Sequence, residues 1–197
     1  MIEFKKRIIA LALLGLLVLA AGAQAATYAI DAAHSSVSFK VRHMMVSKVA
    51  GTFNTFSGTL EFEEGKPQGW SVEAVIDMAS VNTNDAKRDE HLSSPDFFDV
   101  EKHPEMTFRS TGVEIDGDDY VLTGELTLMG VTRPVELALA LNGEITDPWG
   151  DHRAGFSAEG KLDRRDFGMS WNKDMDKGGI VVGNDVSISL EIEAVRQ

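Results

Sequence analysis

Five histidines, His34, His43, His91, His103 and His152, are the side chains of this chain best suited to hold a metal or move a proton near neutral pH. A zinc site gathers such ligands at close spacing, usually with cysteine, and this chain offers neither: no two histidines show that spacing, and cysteine is absent. The pattern predicts hydrogen-bonded or exposed histidines rather than catalytic ones, with no metal site and no cofactor. His43 stands apart because it ends an apolar face, where it is placed to meet a polar headgroup. Two facing carboxylates would support glycosidase-type hydrolysis. Here, however, Glu61, Glu63, Glu125, Glu136, Glu191 and Glu193 each alternate with apolar residues, which turns them toward water. Trp70, Trp149 and Trp171 read as packing or rim residues rather than platforms for sugar, and Asp163-Arg164-Arg165-Asp166 reads as a charged turn.

That alternation defines the elements that must position any site. Period-two patterns run through Tyr120–Leu128, Val135–Leu141 and Val186–Glu193, and five more mark strands at Val37–His43, Phe56–Glu63, Trp70–Met78, Met106–Gly112 and Ala154–Leu162. Asp116-Gly117-Asp118-Asp119 and Met129-Gly130 are reversals between neighbours, and Asp147-Pro148-Trp149-Gly150 is a longer loop. Eight strands joined mostly by short turns predict an all-β, antiparallel domain. The pattern fits a closed barrel or a two-sheet sandwich equally well.

Gly58, Gly112, Gly124 and Gly160 fall on the apolar faces, where a filled core wants bulk; Gly124 interrupts the Tyr120, Leu122, Leu126, Leu128 row. A glycine inside a strand either bends it or admits something close to the backbone. If some of these positions leave space, the space is an elongated apolar tunnel. The candidate lining is Phe39, Val41, Phe56, Gly58, Leu60, Phe108, Gly124, Leu126, Leu137, Leu139, Phe156 and Leu190, with His43 as the headgroup candidate.

Residues 82–105 break the alternation. Asn84–Leu92 reads as a short polar helix, and Ser94-Pro95-Asp96-Phe97-Phe98 as a second helical start with serine as cap. Such an insertion is either a lid or a plain cover for one barrel end. Arg88 and Asp89 are the residues expected to tie it to neighbouring loops.

The N-terminus carries Lys5, Lys6 and Arg7, then an apolar run from Ile8 to Ala21, then Ala23-Gln24-Ala25, the pattern of a secretory signal peptide cleaved after Ala25. The run is too short to cross a bilayer comfortably. The expected organisation is a signal peptide at 1–25 and one domain at 26–197, exported and periplasmic. The net charge of −12 becomes more negative once those three cations are removed, which disfavours nucleic acid and electrostatic membrane docking, and with no later apolar run of spanning length no stable membrane insertion is expected. An exposed strand edge or Met44-Met45 leaves room for a homodimer.

The order of motifs resembles the YceI-like family of secreted polyisoprenoid-binding proteins. The residues that carry the resemblance are Ile30-Asp31, His34-Ser35, Val37–His43, Gly51-Thr52-Phe53, Phe56-Ser57-Gly58, Val81-Asn82-Thr83, Arg88–Leu92, Pro95–Asp99, His103-Pro104 with Phe108, and Leu126–Val135. The resemblance implies an eight-stranded lipocalin-like barrel with a short helical insertion. It also implies an isoprenoid lipid ligand, a polyprenyl phosphate or quinone tail, held in the tunnel without catalysis. Met44-Met45-Val46 departs from the pattern near the expected tunnel mouth. Two other readings are a secreted hydrolase with carboxylates at the barrel rim and a structural or stress-related barrel with a filled interior.

Overall fold

The computed structural model describes residues 25–175 and 179–197, so the expected signal peptide at 1–25 lies, except for Ala25, outside the described residues. The strands are β1 (Ala26–Ile30), β2 (Ser36–His43), β3 (Ser47–Phe53), β4 (Phe56–Phe62), β5 (Ser71–Asp77), β6 (Val81–Asn82), β7 (Glu105–Asp116), β8 (Asp119–Leu128), β9 (Val131–Thr146), β10 (His152–Asp163) and β11 (Val182–Arg196). One α-helix, α1 (Ala86–Ser93), follows β6. Every pairing among them is antiparallel.

The sheet runs β1-β4-β5-β7-β8-β9-β10-β11 and returns to β1, which closes an eight-stranded barrel. β11 has a second role. Its last turn of ladder, Ala194–Arg196, pairs with β1, while Val182–Glu191 pairs with β2, so the β2-β3-β6 flap branches from the same strand. Closure removes the unpaired edges that β1 and β11 would otherwise present.

β1, β3 and β6 are absent from the alternation read in the sequence. β1 and β6 are short, and β3 carries its buried residues as Gly51 and Phe53 alone, so neither length nor contrast signals a strand. The turns follow their chemistry. Gly117 with φ 64° forms the reversal of β7 into β8, and Met129 and Gly130, with φ 52° and 72°, form that of β8 into β9.

Two sequence expectations need correction. A bulge between Ser110 and Gly112 shifts the register, so Val113 and not Gly112 enters the core beyond it. The second helical start at Ser94 is a set of tight turns: the Ser94 N–H donates to His91 O and caps α1, and Asp99 takes φ 45°, which ends any helix there.

The interior splits into two apolar clusters. One gathers Tyr28, Phe62, Trp70, Leu122, Leu139 and Phe156; the other gathers Phe53, Ile76, Met78, Phe98, Leu126, Phe167 and Met169. Phe108 packs against both.

Candidate functional site

A cavity of about 250 Å³ runs through the interior and touches both clusters. Its wall is overwhelmingly apolar, as the inward faces of alternating strands require. For scale, an apolar cavity of about 150 Å³ in another protein stays dry and accepts benzene. This one is larger, so it suits a hydrocarbon better than water.

Phe39, Val41, Phe56, Leu60, Phe108, Leu126, Leu137, Leu139, Phe156 and Leu190 all line this cavity. Gly58, Gly124 and His43 do not. The glycine argument is corrected accordingly. A Cβ on Gly124 would sit 2.3 Å from Phe108 Cζ, because the Phe108 ring lies across the bare backbone from the diagonal position of the neighbouring strand. Gly160 is likewise covered by Leu137 at 2.4 Å, and Gly58 by the β5 backbone, with Glu73 O at 2.6 Å. The bulk missing at Gly124 and Gly160 is replaced by cross-strand side chains, as when an aromatic ring covers a strand glycine, and at Gly58 the neighbouring backbone itself closes in. The hollow comes instead from the ring size, since eight staves enclose little more than their own side chains or one small ligand.

One end of the cavity is walled by interlocked aromatic rings. Phe62 meets Phe156 edge-on at 5.2 Å and Trp70 at 4.8 Å, and Trp70 lies 4.7 Å from Tyr120. The Trp70 indole N–H donates to Glu63 O at 2.6 Å, so the polar edge of the buried ring is satisfied and the ring is fixed. Beyond it, Arg153 donates to Asp147 at 2.7 Å, Asp31 at 3.0 Å and Glu193 at 2.5 Å, and links β10, β11 and the loops. The ligand-type atoms of Asp31, His34 and Glu193 lie within 4.8 Å of one another, and the Arg153 guanidinium supplies their positive partner. The hydrogen bond from His34, and then Arg153, hold the Asp31 carboxyl down to about 2. This network was not legible beforehand, because its members are scattered along the chain and meet only when the ring closes.

The other end is made of the insertion and the β2–β3 flap. Leu92, Phe97 and Phe98 line the cavity, although α1 itself has no buried residue. Asp85 caps α1 by accepting from the Lys87 and Arg88 N–H groups. Buried Thr83 fastens the helix: Arg88 donates to Thr83 Oγ1 at 2.7 Å and Thr83 O at 2.8 Å, while Asp89 accepts from the Thr83 N–H at 2.9 Å. The Phe97 and Trp171 rings lie 5.3 Å apart with His91 edge-on to both.

The histidines lie away from the cavity wall. His34 donates to Asp31, His91 donates to Asp96 at 3.0 Å, His152 shares a hydrogen bond with Thr146, His103 packs beside Gly130, and His43 ends β2 opposite Ser47 and Val182. Glu61, which accepts from Thr27, is the carboxylate among the lining residues, so the wall offers no facing acidic pair among the described residues.

A cation missed in the sequence does reach the wall. Arg164, only 3% exposed, donates to Gly183 O at 2.9 Å and Met169 O at 2.5 Å. Burial pushes its pKa down, and no carboxylate pairs with it among the described residues; Asp163 pairs with Arg165 instead. In the sequence it looked like half of an exposed charged turn.

A YceI-like domain profile matches residues 28–194. The protein YceI of Escherichia coli is 43% identical over 195 residues, covering 98% of this chain and 99% of that protein. Among solved structures, BcnA of Burkholderia cenocepacia superposes with a TM-score of 0.74 at 24% identity, over 83% of this chain and 98% of BcnA. A polyisoprenoid binding domain from Saccharophagus degradans, implicated in plant cell wall breakdown, superposes with a TM-score of 0.63 at 16% identity, over 88% of this chain and 99% of that domain.

Proposed function

The chain belongs to the YceI-like family, and from that premise we propose that it is a periplasmic binding or carrier protein that encloses the tail of an isoprenoid lipid. The observation that carries this reading is the apolar cavity of about 250 Å³ bridging both clusters. The Saccharophagus domain of the same fold, described as polyisoprenoid binding, supports the ligand class. Export is supported by the leader pattern and by β1, which begins at Ala26, directly after the expected cleavage position.

Energetics favour a tail over a compact solute. Each buried methylene contributes about 0.8 kcal/mol, so a five-carbon isoprene unit supplies roughly 3–4 kcal/mol before ordering costs. A tunnel formed in advance keeps those costs small. Arg164 is the wall group that a polar or anionic head would meet, and a phosphate there would offset the cost of a buried guanidinium without a carboxylate.

The test is solvent extraction of protein purified from its export compartment, followed by mass spectrometry and titration with polyprenyl phosphate and quinone. The expected result is a co-purified isoprenoid, or saturable binding of one of the two compounds. Failure of both would defeat the reading.

A further inference from the structure

The β2–β3 reversal is built in an unusual way. The Val46 N–H donates to His43 O at 3.1 Å, and the two residues between, Met44 and Met45, take φ of 47° and 62°. Positive φ at both central positions is the type I′ geometry that Asn-Gly fills without penalty and a long side chain resists. The β8–β9 reversal meets the same demand with glycine at its second position, Gly130; this one does not. The strained turn holds its apolar side chains outward: Met44 is 44% exposed, Met45 56% and Val46 83%.

Charge is segregated along the same hairpin. Between Asp31 and Glu61 the chain has no acidic residue, although its net charge is −12, and in that interval Lys40, Arg42 and Lys48 are all exposed. None of the ion pairs among the described residues involves these three. The net charge that argues against membrane docking therefore averages over a basic hairpin on an acidic body. The tip also adjoins the cavity. The Met44 N–H donates to Val181 O at 2.8 Å, and the next residue, Val182, lines the cavity and pairs with His43. By contrast, the exposed Ile145 and Trp149 at the opposite end sit among Glu144, Asp147 and Asp151, which an anionic surface repels.

We propose that the β2–β3 hairpin tip is a membrane-contact element: Met44, Met45 and Val46 enter the headgroup layer of an anionic bilayer, while Lys40, Arg42 and Lys48 hold its lipid phosphates. Contact places the adjacent cavity end against the bilayer. The proposal does not depend on which lipid, if any, fills the cavity, because docking is measured on vesicles without added ligand.

The experiment is flotation of the full protein with vesicles of phosphatidylglycerol and phosphatidylcholine in equal parts, and with phosphatidylcholine alone. The wild type is expected to float with the anionic vesicles. Replacing the turn by Met44→Asn with Met45→Gly should lower that partition about tenfold or more and raise the melting temperature, because the new pair suits the turn. Val46→Ser, which leaves the turn intact, should weaken partition without moving the melting temperature. Lys40→Gln with Arg42→Gln and Lys48→Gln should remove the preference for anionic vesicles. The proposal is overturned if the wild type does not float, if the Asn-Gly variant floats equally well, or if size exclusion shows the tip holding two copies together while vesicles are ignored.

Discussion

Where β1 meets β11, Phe62, Trp70 and Phe156 interlock and Arg153 ties three carboxylates across the closed ring. Where β2 leaves β11, the wall is Leu92, Phe97 and Phe98 from an insertion whose helix has no fully buried residue. The first end is held by backbone ladders on both sides of every strand; at the second the flap is laddered to β11, but the insertion hangs on side-chain hydrogen bonds onto Thr83 and a few backbone bonds of its own. That contrast predicts that the insertion opens at lower cost than the closed end. Under the proposed function, a tail would thread from the insertion end and stop at the aromatic wall.

The sharpest way to break this contrast is Phe62→Ala. Removing a ring that is 2% exposed from the interlocked end should cost about 3–5 kcal/mol in chemical denaturation. An equal loss from Leu92→Ala at the other end would erase the distinction. Next in size is Gly124→Leu, which forces a side chain into the Phe108 ring. Its expected effect is destabilisation of about 1–3 kcal/mol. A neutral result with weakened ligand binding would restore the idea that Gly124 faces open space. Leu92→Ala itself should cost about 1 kcal/mol or less, since the residue is only half buried, yet speed the exit of a bound apolar probe in stopped-flow displacement.

Smallest at neutral pH is the titration of the Arg153 network. Asp31 is held at about 2 in the fold against its ordinary 3.8, so the folded state binds its proton later than the unfolded chain. Its contribution is present above pH 3.8 and lost as pH falls toward about 2. Thermal melts across that window should show the loss, and Arg153→Met should reduce it only in part, because the larger effect, the hydrogen bond from His34, stays in place.

Much of the barrel was legible because half-buried strands print their two faces directly into sequence as alternation: Leu137, Leu139 and Leu190 reach the cavity as their period demanded. Gly124 was legible as an anomaly but misread. Whether a bare backbone faces space or a neighbour's ring depends on the diagonal partner, and strand register is not written in one strand. Arg164 and Arg153 were hidden for a related reason. Each looks like an ordinary surface charge until the ring closes over it, and burial is a property of the assembled wall. The short strands β1, β3 and β6 lacked the length to show a period at all.

β11 lies alongside β10, β1 and β2, and it is the last of the strands to leave the ribosome. No earlier portion of the nascent polypeptide can complete the cylinder, since its first stave waits for its final one across nearly the whole sequence. Closure of the barrel is thereby deferred until β11 has been made. A chain ending at Val181 would leave three strands without their common neighbour and should be cleared as an unfolded fragment.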